Sequence, residues 1–210
     1  MTTETTPRHH ADLAPSPETA SLRLPHTPHE LYDALPPLPG LRAEVIEGKL
    51  VVSPLSGPEY AQVAMRLFAE LHRPIKDGDL NAYTGNVAVR VDGSHDLVVP
   101  DFVLAPEDCP RWGDRELRSS GLLMVAEIVS PGSIFDDRDR KPAIYASGGV
   151  PVMLLIDPVV SPATVTVLSD PKEGEYRTST RVEIGSRLHL PEPVDFTLDT
   201  SIFANTQTTP

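Results

Sequence analysis

Apolar and polar residues alternate along the chain with two periods, one typical of helices and one typical of strands. The clearest helical pattern is in the segment 56–74, where a proline, Pro58, stands at a position suited to a helix start. Its apolar residues at helical spacing are Ala61, Ala64, Met65, Phe68 and Leu71. This pattern predicts the main helix of the protein, with these residues on its buried face.

The region before this helix predicts a short helix and a hairpin. Thr27 and Glu30 have the spacing of a capping box, and Pro28 suits the first helical position. This helix should end before the proline-rich run at 36–39. Two short apolar runs then flank Glu47 and Gly48, which is the pattern of a β-hairpin.

The rest of the chain is rich in predicted strands. Strands are expected over 81–92, 96–106, 121–131 and 150–158, then over 163–170, 175–180 and 181–190, with a helix within 135–147. The segment 107–121 is expected to be a loop. The last segment, 195–210, is expected to be a tail that docks through Phe196 and Leu198.

Several of these strands are apolar throughout and therefore buried on both faces. Such strands mixed with helices predict an α/β fold with a mixed central sheet flanked by helices and with additional C-terminal strands. The domain prediction has three parts: a disordered N-terminal tail over 1–24, one folded domain over 25–203, and a C-terminal tail over 204–210.

Composition narrows the class of protein. The 210 residues include one cysteine, Cys109, so no intramolecular disulfide forms and a reducing cytoplasm is the expected location. No signal peptide and no membrane-spanning run is evident. The net charge of −12 argues against a protein that coats nucleic acid by bulk electrostatics, but not against a nucleic-acid enzyme whose carboxylates hold metal ions.

Two carboxylates interrupt apolar strands and are the first candidates for chemistry. Asp101 and Glu127 meet on one face if their strands are neighbours, and both stay ionised only if a cation lies between them. A hard divalent ion such as Mg²⁺ suits these oxygen ligands, and Lys141 would bring an ammonium to the same place. The residues also allow a structural explanation, in which Asp101 caps a turn and Glu127 forms a buried ion pair with Lys141 or Arg138.

Three segments carry a resemblance to a known family: VPDFVLAP, VAEIVSPGS and DRDRKPAIYASGGVPVMLLIDP. Together they resemble the Uma-two-type restriction endonuclease family of the PD-(D/E)XK nuclease superfamily, from about residue 29 to residue 200. The resemblance implies that Asp101 and Glu127 are the two acidic residues of the motif. The superfamily lysine would fall at Val129, and the resemblance implies that Lys141 is its migrated replacement.

The resemblance implies two further assignments. Glu44 matches an upstream acidic position and would be an accessory metal ligand, while Tyr60 occupies a position where the family often has a histidine. The catalytic residues implied are thus Asp101, Glu127 and Lys141.

The function expected is a DNA endonuclease that uses Mg²⁺ or Mn²⁺, with a homodimer as an option for cutting both strands. One alternative is an inactive nuclease fold used for protein or nucleic-acid contact, and another is action on a small phosphoester. The nucleic-acid-binding residues are not fixed by the sequence. Candidate phosphate contacts are Arg90, Arg111, Arg115, Arg118, Arg138 and Arg140.

Four other residues are expected to have ordinary roles. Asp137 and Arg140 are typical of a solvated helix start. Asp157 is expected to be structural, and Cys109 to be an unreactive loop cysteine whose pKa the preceding acids raise.

Overall fold

The computed structural model of the protein describes residues 24–85 and 87–204. Its α-helices are α1 (Pro28–Asp33), α2 (Pro58–Glu70), α3 (His72–Asp77) and α4 (Lys141–Ser147). Its strands are β1 (Leu41–Ile46), β2 (Lys49–Pro54), β3 (Leu80–Thr84), β4 (Ala88–Arg90), β5 (Leu97–Val98), β6 (Phe102–Pro106), β7 (Arg111–Trp112), β8 (Glu116–Arg118), β9 (Met124–Ile128), β10 (Val152–Asp157), β11 (Thr164–Lys172), β12 (Glu175–Glu183), β13 (Arg187–Leu190) and β14 (Phe196–Asp199). Short helical turns are Ser119–Gly121, Asp136–Arg140 and Thr200–Phe203.

The first sheet has the strand order β2-β1-β5-β4-β8-β7. It begins with the predicted hairpin, in which β1 and β2 pair antiparallel around Glu47 and Gly48. Both turn residues have positive φ, 50° and 68°, which is the backbone of a type I′ turn. The capping box that predicts α1 is also present, with Thr27 and Glu30 each accepting a hydrogen bond from the other's backbone N–H.

The second sheet has the strand order β12-β11-β10-β9-β6-β3 and carries the core. Strands β9 and β10 are parallel, and α4 lies in the crossover between them. Alternate residues of these strands enter two hydrophobic clusters. The first cluster includes α2, α3 and the β13–β14 pair, and the second includes α4 and part of the first sheet. A mixed α/β fold with helices on both faces of a central sheet is therefore confirmed, although two large sheets rather than one make up the molecule.

Two predicted strands are wrong in extent, because each is divided between the sheets. The segment 81–92 forms β3 and β4, and the segment 96–106 forms β5 and β6. Gly85, with φ 59°, lies at the first break, and Pro100 and Asp101 lie at the second. Both halves of 96–106 are apolar and both halves of 81–92 have strand-forming residues, so the sequence pattern alone does not reveal the bends.

Two other predictions also need correction. The segment 107–121 is more than a loop, since it contains β7 and β8. The described part of the segment 195–210 is not a loosely docked tail, because β14 pairs with β13 and the following turn buries Phe203. Leu198 is fully buried as expected, whereas Phe196 is only partly buried.

The main helix is present, but its predicted buried face is partly wrong. Its buried residues are Tyr60, Val63, Ala64 and Leu67. Ala61 is exposed, and the side chain of Met65 is 52% exposed. Apolar residues surround most of this helix, so its sequence does not specify which face packs against the sheet.

The tails predicted over 1–24 and 204–210 lie outside the described residues except for Leu24 and Ala204. The three-part domain division therefore stays a prediction. Among the described residues, no helix is long and apolar enough to cross a membrane.

Candidate active site

Asp101 and Glu127 are brought together by neighbouring strands. Strands β6 and β9 pair antiparallel with Phe102 opposite Ala126, so Asp101 at the start of β6 reaches the end of β9. Its Oδ2 accepts a hydrogen bond from the backbone N–H of Ile128 at 2.8 Å. The condition under which the sequence lets these two acids meet, that their strands are neighbours, is therefore fulfilled.

Glu127 is fully buried and contacts two side chains of α4. Its Oε1 lies 3.1 Å from Lys141 Nζ and accepts a hydrogen bond of 2.5 Å from the Tyr145 hydroxyl. Its Oε2 has no hydrogen-bond partner among the described residues. The buried ion pair with Lys141 that the sequence allows is therefore present.

Lys141 is 1% exposed and lies among three carboxylates. Besides Glu127, its Nζ is 3.4 Å from Glu44 Oε1 and 3.1 Å from Asp137 Oδ1. Glu44 reaches this point from β1, and its Oε1 also accepts a hydrogen bond from Val99 N–H at 2.8 Å. The distances to Lys141 are those of ion pairs, although none has hydrogen-bond geometry within the described chain.

Arg42 joins Asp101 to the same group of charges. Its Nη1 lies 3.2 Å from Asp101 Oδ1 and donates to Val99 O at 3.0 Å, while its Nε is 3.7 Å from Glu44 Oε2. Strand alternation places Arg42 and Glu44 on one face of β1. We name the six residues the buried charge cluster: Arg42, Glu44, Asp101, Glu127, Asp137 and Lys141.

The buried charge cluster has four carboxyl groups and two cations. Burial raises the pKa of Glu127 to about 8, with Lys141 opposing the shift and the other three carboxyls reinforcing it. Burial also raises the pKa of Asp101, against the effect of Arg42. Burial by itself lowers the pKa of Lys141, but its carboxylate neighbours raise it well above its ordinary value. The ammonium is therefore charged, and Glu127 is largely protonated near pH 7 unless a further cation binds beside it.

The chemistry of this cluster fits a divalent cation, although its geometry is that of a protein-paired state. Within residues 24–85 and 87–204, no three Asp, Glu, His or Cys side chains are arranged around one ion position. Instead, the carboxylates are paired with the side-chain cations of Arg42 and Lys141. However, Glu127 Oε2 and both carboxylate oxygens of Asp137 are buried without hydrogen-bond partners. Such oxygen donors with an excess negative charge suit Mg²⁺ or Mn²⁺.

Two adjoining cavities border this cluster at Arg42 and Asp101. They measure about 370 Å³ and about 570 Å³, and both are lined by Arg42, Leu55, Ser56 and Tyr60. Asp101 lines the smaller one, and the turn at 130–133 lines the larger one. The exposed face of α2 that was expected to be buried, including Met65, forms a wall of the smaller cavity.

Sequence reasoning missed three residues of this site: Arg42, Asp137 and Tyr145. The prediction that Asp137 is a solvated residue is wrong, because it is 1% exposed and pairs with Lys141. The available signal was spacing, since Asp137, Lys141 and Tyr145 follow one another at intervals of four. One turn of π-helix, Asp136–Arg140, precedes α4 and places Pro142 in the first turn of that helix, where proline is tolerated.

Other predicted residues have structural roles. Asp157 accepts two hydrogen bonds from Arg138, at 2.8 and 2.9 Å, and others from the N–H groups of Val159 and Val160. Cys109 is buried, and burial rather than its acidic neighbours is the main reason that its pKa is raised.

The candidate phosphate contacts are mostly committed to carboxylates. Arg90 pairs with Glu116, Arg118 with Asp92, Arg138 with Asp157, and Arg140 with Asp136 and Glu47. Arg111 and Arg115 form no ion pair in the part of the chain that the structure describes.

A mixed sheet whose adjacent strands bring an aspartate and a glutamate together, with a lysine from the following helix, is the arrangement of a restriction-endonuclease-like fold. Residues 29–201 match the Uma2 family, described as "Putative restriction endonuclease", and the chain belongs to this family. A solved structure similar to this one is that of a protein described as "a putative nuclease belonging to DUF820 from Anabaena variabilis ATCC 29413". Its TM-score is 0.65 at 19% identity, and the match covers 87% of this chain and 100% of that chain. No curated protein matches the chain.

Proposed function

We propose that the protein is a cytoplasmic, metal-dependent endonuclease that hydrolyses phosphodiester bonds in DNA. The observation that carries this proposal is the buried charge cluster, which holds two more carboxyls than cations beside an accessible cavity. The Uma2 family and the similar protein from Anabaena variabilis are both described as nucleases, which supports the same class of reaction.

Asp101 and Glu127, with Glu44 as an accessory ligand, would hold a Mg²⁺ or Mn²⁺ ion. Such an ion would favour the ionised form of Glu127 and would offset the carboxyls that Arg42 and Lys141 leave unpaired. When bound, it lowers the pKa of a coordinated water and offsets negative charge on the phosphate oxygens. Tyr145 holds Glu127 through Oε1, which leaves Oε2 as the free acceptor of that side chain.

Lys141 acts through its charge. Its pKa is raised well above the ordinary value, so it does not accept a proton from water near neutral pH. A charged ammonium orients the attacking water by hydrogen bonding or stabilises the charge that develops on the phosphate. Lys141 thus takes the role of the motif lysine although it lies on α4 rather than at Val129.

Arg42 and Tyr60 line both cavities and would contact the substrate. The Arg42 guanidinium is suited to a phosphate oxygen. Burial raises the pKa of the Tyr60 hydroxyl, so it can donate a hydrogen bond but is a poor general base. Tyr60 therefore does not reproduce the proton transfer that a histidine at this position would allow.

The test is cleavage of supercoiled plasmid at low salt with Mg²⁺, Mn²⁺ or EDTA. We expect metal-dependent nicking that falls at least about 100-fold in Asp101→Ala and in Glu127→Ala. Asp139→Ala is the matched control, because Asp139 is an exposed acid on the turn next to Lys141. Nicking that survives both cluster substitutions contradicts the proposal.

The alternative is a non-catalytic module for protein or nucleic-acid contact. It is favoured by one observation: Asp101 and Glu127 are already paired with Arg42 and Lys141. This alternative predicts no saturable binding of Mn²⁺ in calorimetry, whereas the nuclease predicts binding that Asp101→Ala weakens.

A further inference from the structure

A third cavity lies at the same edge of the second sheet as the two cavities that border the buried charge cluster. Strands β9 and β10 are parallel, so they end at the same edge, at Ile128 and Asp157. The turn after β9 lines the larger of those two cavities, and Asp157 at the end of β10 lines the third cavity. This third cavity measures about 310 Å³.

Donor groups dominate the polar lining of the third cavity. Its polar residues are Arg138, Asp157, Thr164, Thr166 and Arg181. The single carboxylate, Asp157, is neutralised by the two hydrogen bonds from Arg138 and accepts two backbone N–H groups as well.

Two of these residues have side-chain groups that make no ion pair or hydrogen bond with the described chain. Arg181 forms no ion pair and no side-chain hydrogen bond within residues 24–85 and 87–204. Thr164 is buried, and its Oγ1 has no hydrogen-bond partner in the same part of the chain. A free guanidinium beside a buried, unpartnered hydroxyl is suited to an anion with several oxygens.

Sheet register relates this cavity to the catalytic glutamate. Glu127 on β9 is opposite Leu155 on β10, Leu155 is opposite Thr166 on β11, and Thr166 is opposite Arg181 on β12. These four residues form one row across the sheet, so Arg181 is three strand spacings, ~14 Å, from Glu127.

The turn before α4 connects the two places directly. Asp137 points into the buried charge cluster, where it pairs with Lys141, and the next residue, Arg138, pairs with Asp157 beside the third cavity. The buried charge cluster and the third cavity therefore share one short segment, Asp136–Arg140, which contributes a residue to each.

We propose that the third cavity binds a phosphate group. Resting on the nuclease function proposed above, this phosphate is a backbone phosphate of the substrate strand, a few nucleotides away from the bond that is cut. Arg181 and Arg138 supply the charge, and the hydroxyls of Thr164 and Thr166 supply hydrogen bonds. Arg181 is the residue that determines affinity, because Arg138 is already held by Asp157.

The test is a titration of the isotope-labelled full-length protein with inorganic phosphate, in EDTA and at constant ionic strength set with chloride. Nuclear magnetic resonance should show saturable shifts at the amides of Thr164 and Thr166 and at the Arg181 side chain. Arg181→Ala should weaken phosphate binding about tenfold. Arg181→Gln, which keeps the length of the side chain, should weaken it similarly.

Arg177→Ala is the matched control. Arg177 lies on the same strand and is also accessible, but it already pairs with Glu173 and Glu175. Its replacement should leave phosphate affinity unchanged. Shifts that do not saturate, or that are the same in Arg181→Ala as in the wild type, overturn the proposal.

A second measurement separates this inference from the nuclease function. The slope of DNA affinity against salt, measured in EDTA without cleavage, should fall by about one in Arg181→Ala. Phosphate binding without any plasmid cleavage supports the phosphate site in the third cavity and contradicts the proposed nuclease function. Cleavage without phosphate binding in the third cavity refutes this site alone.

Discussion

Glu127 is a carboxylate in a strand that is otherwise apolar, and the structure gives it two partners of different kinds. Lys141 compensates its charge, and the Tyr145 hydroxyl donates to it. Since the cluster has four carboxyls and only two cations, the ion pair accounts for the burial of Glu127 without removing the case for a metal. Lys141 consequently contributes to the stability of the fold as well as to the proposed chemistry.

Lys141→Met tests this structural contribution. The substitution leaves Glu127 and Asp137 buried without their cation, so the free energy of unfolding should fall by about 3–5 kcal/mol. Urea denaturation at neutral pH, followed by far-UV circular dichroism, measures this change. Lys76→Met, at an exposed position on α3, should change stability by less than about 0.5 kcal/mol. Equal stability of the two variants would show that the buried ion pair does not stabilise the protein.

The sequence identified Asp101, Glu127 and Lys141 because the acids interrupt apolar runs and the lysine follows them in a recognisable motif. Their roles stay predictions, but the structure places all three in one cluster. Asp137 was missed because it lies in a run of charged residues, where nothing local shows which one is buried. Arg42 was missed for a different reason: its partners Val99 and Asp101, between β5 and β6, are far away in the chain.

At the scale of elements, the β1–β2 hairpin positions Arg42 and Glu44, and its turn is determined locally. Glu47 and Gly48 both adopt positive φ, as a two-residue type I′ turn requires. Short-range chemistry of this kind is readable from sequence, which is why this hairpin and the capped α1 were predicted.

Gly48→Ala should destabilise the protein by about 1 kcal/mol. A Cβ at Gly48 meets nothing within 4 Å, so the cost is conformational, from the positive φ alone. Gly132→Ala is the control, because Gly132 also has open space around it and lacks a positive φ of this kind. Urea denaturation of both variants measures the difference. If both substitutions cost the same, the turn geometry is not what limits stability at Gly48.

Asp92 connects elements at the other end of the first sheet. It follows β4 and accepts hydrogen bonds from Arg118 at the end of β8 and from Ser120 N–H. Burial by itself raises the pKa of Asp92, but these hydrogen bonds outweigh it and lower the pKa to about 2, from an ordinary value of 3.8. Ionised Asp92 therefore stabilises this sheet above about pH 4.

This contribution should disappear in acid. Because the folded-state pKa is depressed, the stabilisation is fully present above pH 3.8 and is lost as the pH falls towards 2. Asp92→Asn should therefore melt below the wild type at pH 7, with the gap closing between about pH 4 and about pH 2. Thermal melts across this range measure the gap, with Asp108→Asn, an exposed acid, as the control. A gap that is constant with pH contradicts the assigned pKa shift.

Longer-range features of the elements could not be predicted. The divisions of 81–92 and 96–106 place consecutive strands in different sheets, and the residues on both sides of each break are compatible with a strand. The buried face of α2 was ambiguous because Met65 is apolar but faces a cavity. In each case the outcome depends on packing against residues distant in sequence, which periodicity does not report.

At the scale of the whole molecule, the second sheet lies between the two hydrophobic clusters and contributes residues to both. Successive residues of one strand, such as Met153 and Leu154, enter different clusters, so neither cluster unfolds without disturbing the strand that serves both. This arrangement supports the prediction that residues 25–203 form one domain and unfold as one unit.

Cys109 offers a direct test of that prediction. It lies in the second cluster, and burial raises its pKa, so iodoacetamide should label it only in unfolded molecules. The midpoint of labelling in urea should therefore coincide with the midpoint of far-UV circular dichroism. Leu154→Ala, in the first cluster, should cost about 2–5 kcal/mol and move both midpoints equally. Met65→Ala, at an exposed position, should move neither appreciably. If Leu154→Ala shifted the dichroism but left Cys109 labelling in place, the two clusters would unfold independently, and residues 25–203 would be two units rather than one.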